Sequence, residues 1–394
     1  MKNILIASFD LEVGGVERSL INMLNIFDYD AYNVDLMLYS HSGDFMKLLP
    51  ETPILLKESK IYKTFRMSIK ETIKSGEWRV GLARIMAKLR AFFHTATEKG
   101  YSQMQYMWKY SLPFLPHNEK EYDVAISFLW PHYFVGEKVK AKKKIAWVHT
   151  DYSTIETNVK MDIDMWKQFD HIAVVSKECG NAFKIKYPSL QNKIIVLENI
   201  LSTEAVKSLA KQEIINPMVN DKRFKILTVA RLSHAKGIDQ AILAFNELKS
   251  SGYENIVWYV VGYGGEKKML QELIIKHGLE DSFVLLGKKD NPYPFIKECD
   301  LYVQPSRYEG KAVTVTEAKM LGKPVLITSY PTAKSQVENG KDGLICPMGV
   351  SGLVEGIKML INNEDLRMKL TNNVNRVNYS NEDEIEKLYK IVNQ

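Results

Sequence analysis

Short apolar runs alternate with helical stretches along this chain, and the whole series occurs twice. In the first half the runs predict strands at 3–8, 33–39, 124–128, 144–148, 171–175 and 193–197; in the second, at 224–229, 256–261, 283–286, 301–303 and 325–327. Runs this apolar suit a parallel sheet buried on both faces, and the helical stretches between them supply the crossovers that parallel neighbours need. The pattern predicts an α/β chain with two Rossmann-like doubly wound parallel-sheet domains facing each other across a cleft. A length of 394 residues suffices for two such cores. Polar composition through 198–223, ending Val219-Asn-Asp-Lys-Arg223, marks the connection. The expected boundaries are 1–198, 199–377 and a last helical segment, 378–394.

Composition narrows the class. Hydrophobic content of 45% and charged content of 25% belong to a soluble globular protein. The three cysteines, Cys179, Cys299 and Cys346, are odd in number and widely spaced, which argues against a disulfide framework and a zinc site. The opening residues MKNILIASFD read as a strand rather than a signal peptide, and no apolar run approaches the ~20 residues that span a bilayer. A cytoplasmic protein is expected, peripheral on the inner face of the cell membrane if the basic segment described next binds there.

Charge is unevenly spread. The net charge is +6, yet residues 57–110 alone carry twelve Lys/Arg against four Glu, a local +8. Phe65, Met67, Ile69, Trp78, Leu82, Ile85, Met86, Leu89, Phe92 and Phe93 are interleaved with those charges. Cationic and apolar groups mixed on helices suit an anionic membrane surface, with Lys138, Lys140, Lys142, Lys143 and Lys144 extending the patch. An ordinary solvated helical hairpin is the alternative. No nucleic-acid motif accompanies the charge, so nucleic acid is not an expected partner.

The candidate site centres on YEGKAVTVTEAKMLGKPVLIT, residues 308–328. Glu309 ends a loop after a strand, Glu317 lies within the following helix, and Gly322 and Pro324 lead into the next strand. A helix N-terminus offers unpaired N–H groups and a positive dipole end to an anion. Carboxylates flanking an anion must face hydroxyls or a cation, which describes a nucleotide-sugar site. Two glutamates at this spacing are, taken alone, more often a solvated helix face. Arg231 and Lys236, in TVARLSHAKGID, follow the first strand of the second domain, at the strand end where α/β folds bind ligands. Two cations there could grip a diphosphate and stabilise its departure.

Glu309 and Glu317 in E-x7-E spacing, with Gly310, Gly322, Pro324 and the A-R-L-x-x-x-K-G segment, resemble the retaining glycosyltransferases of family 4, which have the GT-B fold and include enzymes of bacterial surface-polysaccharide synthesis. The resemblance implies that Arg231 and Lys236 hold the donor diphosphate, Glu309 binds donor-sugar hydroxyls and Glu317 binds ribose hydroxyls. It places the amides of Ala312 and Val313 against the phosphates, the turn at Gly262 near the nucleotide, and Gly287 and Lys288 beside the nucleobase. Gly14 and Gly15 resemble the glycine pair that lets a loop approach donor and acceptor. Beside them, Glu17 and Arg18 are expected to serve helix capping and local pairing. His149 would touch the transferred sugar or lie near its anomeric carbon, Asp151 is an acceptor-side candidate, and Ser176 and Asn199 resemble positions near the cleft and hinge. Lys311 and Ala312 stand where Phe-Gly is frequent, so Lys311 bears on donor choice. The final helix is expected to cross back onto the first domain.

The implied co-substrate is a UDP-sugar, the acceptor a glycan or polyprenyl-linked oligosaccharide, and no further cofactor or metal is called for. The D-x-D patterns Asp28-Tyr29-Asp30 and Asp162-Ile163-Asp164 are expected at the surface. A sugar-nucleotide epimerase and a non-catalytic scaffold partnering another transferase remain as alternatives.

Overall fold

In the computed structural model, which describes residues 1–92 and 99–394, the chain divides into two units. One comprises Met1–Glu12, Val16–Ile200 and Asp383–Gln394; the other comprises Val13–Gly15 and Leu201–Glu382. Phe93 of the basic segment lies outside the described residues.

The first unit is built on seven parallel strands: β1 (Lys2–Ser8), β2 (Tyr32–Leu38), β3 (Ile54–Leu55), β4 (Glu121–Ser127), β5 (Lys140–Val148), β6 (His171–Val174) and β7 (Ile194–Val196). Their order is β3-β2-β1-β4-β5-β6-β7, so the direction of travel reverses between β1 and β4, the position where such sheets bind ligands. β1 and β4 run in register from Ile4 opposite Val124 to Ala7 opposite Ser127. The helix Glu384–Asn393 belongs to this unit, burying Ile385, Leu388, Ile391 and Val392.

The second unit carries six parallel strands: β8 (Phe224–Val229), β9 (Ile256–Val261), β10 (Phe283–Gly287), β11 (Leu301–Gln304), β12 (Val325–Thr328) and β13 (Leu344–Cys346), ordered β10-β9-β8-β11-β12-β13. Every residue of β9 is buried, and its side chains divide by parity. Ile256, Trp258 and Val260 enter one core with the helix Ile238–Ser250, whose Ile238, Ala241, Ile242, Phe245 and Leu248 recur at helical spacing. Val257, Tyr259 and Val261 enter the other, against Val313, Val315, Ala318 and Met320 of the helix Val313–Met320. Period two in the strand and period 3.6 in the helices thus give a sheet covered on both faces.

Two expectations are corrected here. Asp162 is not at the surface: it is wholly buried in the helix Val159–Trp166, where Gln105 Nε2 (2.7 Å) and Tyr187 Oη (2.5 Å) donate to its carboxylate. Burial raises its pKa, which those hydrogen bonds and Lys186 oppose. Asp164, Asp28 and Asp30 are exposed as expected. Of the lysines expected to extend the basic patch, Lys140 and Lys142 are exposed, while Lys143 and Lys144 are half-buried on β5, between β4 and β6. Lys143 Nζ donates to Ile391 O (2.7 Å), Lys144 Nζ to Gly136 O (2.7 Å), and Lys142 pairs with Asp123 at 2.8 Å.

Candidate functional site

In the second unit two loops follow adjacent strands, β8 and β11, and are tied together through their backbones. Gly237 closes the first loop in the left-handed region (φ 65°), between the turn His234–Lys236 and the helix Ile238–Ser250. A Cβ there would stand 2.1 Å from Pro305 O, so only glycine lets the 305–306 backbone approach. Arg307 then bridges the loops: its N–H donates to Ala235 O (2.8 Å), and its Nη1 to His234 O (2.7 Å). The same guanidinium grips Asp239 with both ends, at 2.8 and 2.6 Å. Burial would raise the Asp239 pKa, but Arg307 outweighs it and holds the carboxyl below its ordinary value.

This zipper brings Lys236 to Glu309. Lys236 Nζ donates to Glu309 Oε2 at 2.6 Å, with the glutamate side chain 6% exposed. Ser306 Oγ (2.6 Å) and Gln304 Nε2 (3.2 Å) donate to Oε1. Thr332 Oγ1 donates to the Glu309 carbonyl (2.9 Å), fixing the backbone as well. A carboxylate so buried needs these partners, and with them its direction is set.

Glu317 sits one turn into the helix Val313–Met320, also buried, and Tyr293 Oη donates to its Oε1 (2.6 Å). The first amides of this helix have no intrahelical acceptor. Ala312 N–H, expected to face phosphate, instead donates to Gln336 Oε1 (3.0 Å). Ala312 is the residue preceding the helix, whose first residue is Val313. The loop bearing Gln336 is anchored by buried Lys319, whose Nζ donates to Gln336 O (2.6 Å) and Asp342 Oδ2 (2.8 Å). Gly310 and Lys311 lie in the loop between the two glutamates, Gly310 buried and Lys311 partly so.

The turn after β9 has a packing reason for its glycines. A Cβ on Gly262 would meet Ala230 O at 1.8 Å, and one on Gly264 would meet Leu232 O at 2.3 Å. Backbone bonds from Ala230 N to Val261 O (3.0 Å) and from Leu232 N to Tyr263 O (2.8 Å) bind this turn to the segment carrying Arg231, whose side chain is exposed. Gly287 serves its own left-handed conformation (φ 76°) at an irregularity in β10. Lys288 Nζ lies 4.9 Å from the Tyr263 ring centroid.

In the first unit, His149 follows β5 at its C-terminal end. Its ring lies nearly parallel to Trp147 (6.1 Å between centroids) and 4.9 Å from Phe128. Burial pulls its pKa down to about 4, and the Phe128 backbone and the Asn199 side chain only partly oppose that. His149 is therefore neutral near pH 7. Asp151 is wholly buried, its Oδ1 accepting from Ser153 N–H (2.9 Å) and Oγ (2.8 Å). Ser176 caps the helix Lys177–Lys186 by accepting from Cys179 N–H (3.1 Å), a structural task. Arg18 stacks over Phe45 at 4.1 Å, and Glu17 and Arg18 are both buried in the helix Gly15–Asn25. Gly14 and Gly15 group with the second unit.

Sequence reasoning missed Gln304, Ser306, Arg307, Asp239, Tyr293 and Gln336. Gln304 carried a signal, a polar residue closing an apolar strand just before Pro305. Among the described residues no cluster of His, Cys, Asp and Glu could hold a metal ion.

Comparisons with known proteins bear on the fold and on the family resemblance. Residues 210–391 match the family described as glycosyl transferases group 1. An uncharacterized glycosyltransferase of Methanocaldococcus jannaschii is 27% identical over 57% of this chain; the match spans 63% of that relative, less than two-thirds of its length. The capsular polysaccharide biosynthesis glycosyltransferase CapM of Staphylococcus aureus is 29% identical over 46% of this chain and 50% of its own. Among solved structures, Anabaena HepE in complex with UDP and glucose superposes with a TM-score of 0.72 at 17% identity, covering 100% of both chains. That likeness shows the GT-B fold.

Proposed function

We propose that the protein is a retaining, metal-independent glycosyltransferase that moves a sugar from a UDP-sugar to a glycan or polyprenyl-linked acceptor in surface-polysaccharide assembly. The observation that carries this reading is the pairing of half-buried Lys236 with buried Glu309 at 2.6 Å, the glutamate oriented by Ser306 and Gln304. A carboxylate offers about four acceptor sites. Lys236, Ser306 and Gln304 occupy three on Glu309, which leaves one for a sugar hydroxyl. The Lys236 ammonium has two donors beyond the one given to Glu309, suited to phosphate oxygens. One side chain pair thus addresses both sides of the bond that breaks.

As the anomeric C–O bond lengthens, negative charge gathers on the β-phosphate. Arg231, Lys236 and the start of the Val313–Met320 helix stabilise it there, and two protein cations take the part a divalent ion plays elsewhere. The departing phosphate accepts the proton of the attacking hydroxyl, and the new bond forms on the face the diphosphate leaves. The UDP bound to HepE and the capsular role of CapM support the donor and the pathway.

The test is thermal stabilisation by a panel of UDP-, GDP- and dTDP-sugars, followed by sugar transfer. A UDP-sugar should raise the melting temperature of the wild type and not of Lys236→Ala. In that variant turnover should fall at least ~10²-fold, as on losing an oxyanion donor. No shift with any donor would overturn the reading in favour of a scaffold.

A further inference from the structure

The helix Trp78–Phe92 is built inside out. Its buried face is made of Val80, Gly81, Ala83, Ala87 and Ala91, while Trp78, Leu82, Ile85, Met86, Leu89 and Phe92 are 37–72% exposed. The close packing on the inner face is deliberate: a Cβ on Gly81 would stand 2.4 Å from Ile73 Cγ1. At 100° per residue the six large residues fall in one sector of about 120°, opposite Val80, Ala83, Ala87 and Ala91. A contiguous apolar stripe of this kind marks an interaction surface rather than scattered exposure.

Its margins are basic. The same helical geometry sets exposed Arg79 and Arg90 along one edge and exposed Lys88 along the other. Arg79 also lies 5.3 Å from the Trp78 ring centroid. The fourth cation, Arg84, is turned inward, donating to Thr64 O (2.6 Å), Thr72 Oγ1 (2.8 Å) and Met67 O (2.8 Å). The helix carries no acidic residue. Glu71, in the preceding helix Ile69–Lys74, is engaged in a capping box with Ser68.

We propose that this helix docks the protein on an anionic lipid surface, with its apolar stripe in the acyl boundary and Arg79, Arg90 and Lys88 at the phosphate level. Charge decides against a second copy as the occupant. Two stripes packed together would bring basic margins against basic margins, with no acid on either helix to compensate, whereas an anionic leaflet supplies the missing charge. Long basic side chains beside an inserted apolar face reach outward to the headgroups while their stems stay in apolar contact. The docking deepens the acceptor side of the proposed function, resting on it only for the notion that the acceptor is lipid-linked.

The experiment is co-flotation of the full chain with phosphatidylglycerol vesicles and with phosphatidylcholine vesicles, alongside the donor thermal shift. The wild type should float with the anionic vesicles only. Met86→Glu/Leu89→Glu should lose at least ~10-fold in partitioning, and Arg79→Gln/Arg90→Gln about 25-fold, at roughly fivefold per surface cation. Both variants change exposed positions, and each should keep the wild-type melting temperature. Independently of any fold defect, wild-type tryptophan emission should shift to the blue on adding anionic vesicles and Trp78→Phe should not. Equal flotation with both lipids, or unchanged flotation of the glutamate variant, would overturn the proposal. So would a concentration-dependent dimer that the glutamate variant dissociates. Vesicle binding without a donor shift would overturn the transferase reading and leave the docking intact.

Discussion

Neutral His149 and paired Glu309 show how burial sets chemistry residue by residue. Three donors meet the side chain of Glu309, whereas His149 is desolvated with little to compensate and stays unprotonated down to about pH 4. It can therefore accept a hydrogen bond but cannot act as a cation near pH 7. The same shift has a consequence for stability. Unfolded, the histidine takes a proton below about 6.5; folded, only near 4, so between those values the unfolded state binds more protons. Stability must fall as pH drops through that window and be unaffected by this group above it. His132, wholly buried and likewise held well below its ordinary value by burial, adds to the fall. Melting curves of His149→Asn against wild type should show a shallower decline between pH 6.5 and 4, with His132 supplying the remainder. An unchanged slope would mean that His149 protonates freely. Glu309, Lys236 and His149 were legible through the family resemblance, and each does lie in a loop that follows a strand. Tyr293 and Gln336 were not, since each reaches its partner from 24 residues away and nothing local marks it.

Elements place these groups through loop-to-loop closure more than through helix or strand geometry. The strands of the second unit were readable to within a residue or so, because buried parallel strands write themselves as unbroken apolar runs. β3 and β13, of two and three residues, were too short to stand out, and β5 begins at Lys140, earlier than the apolar run indicates. Its first residues are lysines whose ammonium groups are bound to carbonyls and carboxylates, which hydropathy cannot reveal. Gly237 is the clearest case of an element-level constraint, because both its φ of 65° and its approach to Pro305 O exclude a side chain. Gly237→Ala should cost ~1–2 kcal/mol from backbone handedness alone and more from the displaced loop. Because that displacement parts Lys236 from Glu309, donor affinity should weaken along with the melting temperature. Arg307→Ala, which leaves the backbone unstrained, should weaken donor binding by the same route. Titration of a UDP-sugar against both variants checks this: wild-type affinity in both would mean that the loops hold their places without the zipper.

At the scale of the whole chain, tandem alternation of strand and helix was enough to foresee two parallel sheets, whereas the 3-2-1-4 order of strands in the first is read from the structure. The part that alternation cannot convey is where the last helix goes. Glu384–Asn393 belongs to the first unit although nearly two hundred residues of the second precede it. It is held there by specific contacts. Tyr389 stacks on Tyr32 at 5.1 Å, and its hydroxyl accepts from Asp28 N–H at 2.6 Å. Lys2 Nζ donates to Val392 O and Lys143 Nζ to Ile391 O, both at 2.7 Å, placing two cations on the negative end of the helix. Its four buried aliphatic residues would each contribute ~1.5–3 kcal/mol as upper estimates. Leu388→Asp puts a carboxylate at a site 1% exposed, so it should release the helix and destabilise the first unit by several kcal/mol. Hydrogen exchange should then rise in β1 and β2, whose first residues, Lys2 and Tyr32, contact the helix, while β8 and β9 keep their protection. Uniform loss of protection in both sheets would instead mean that the two units unfold as one, and that the closing helix stabilises the entire chain.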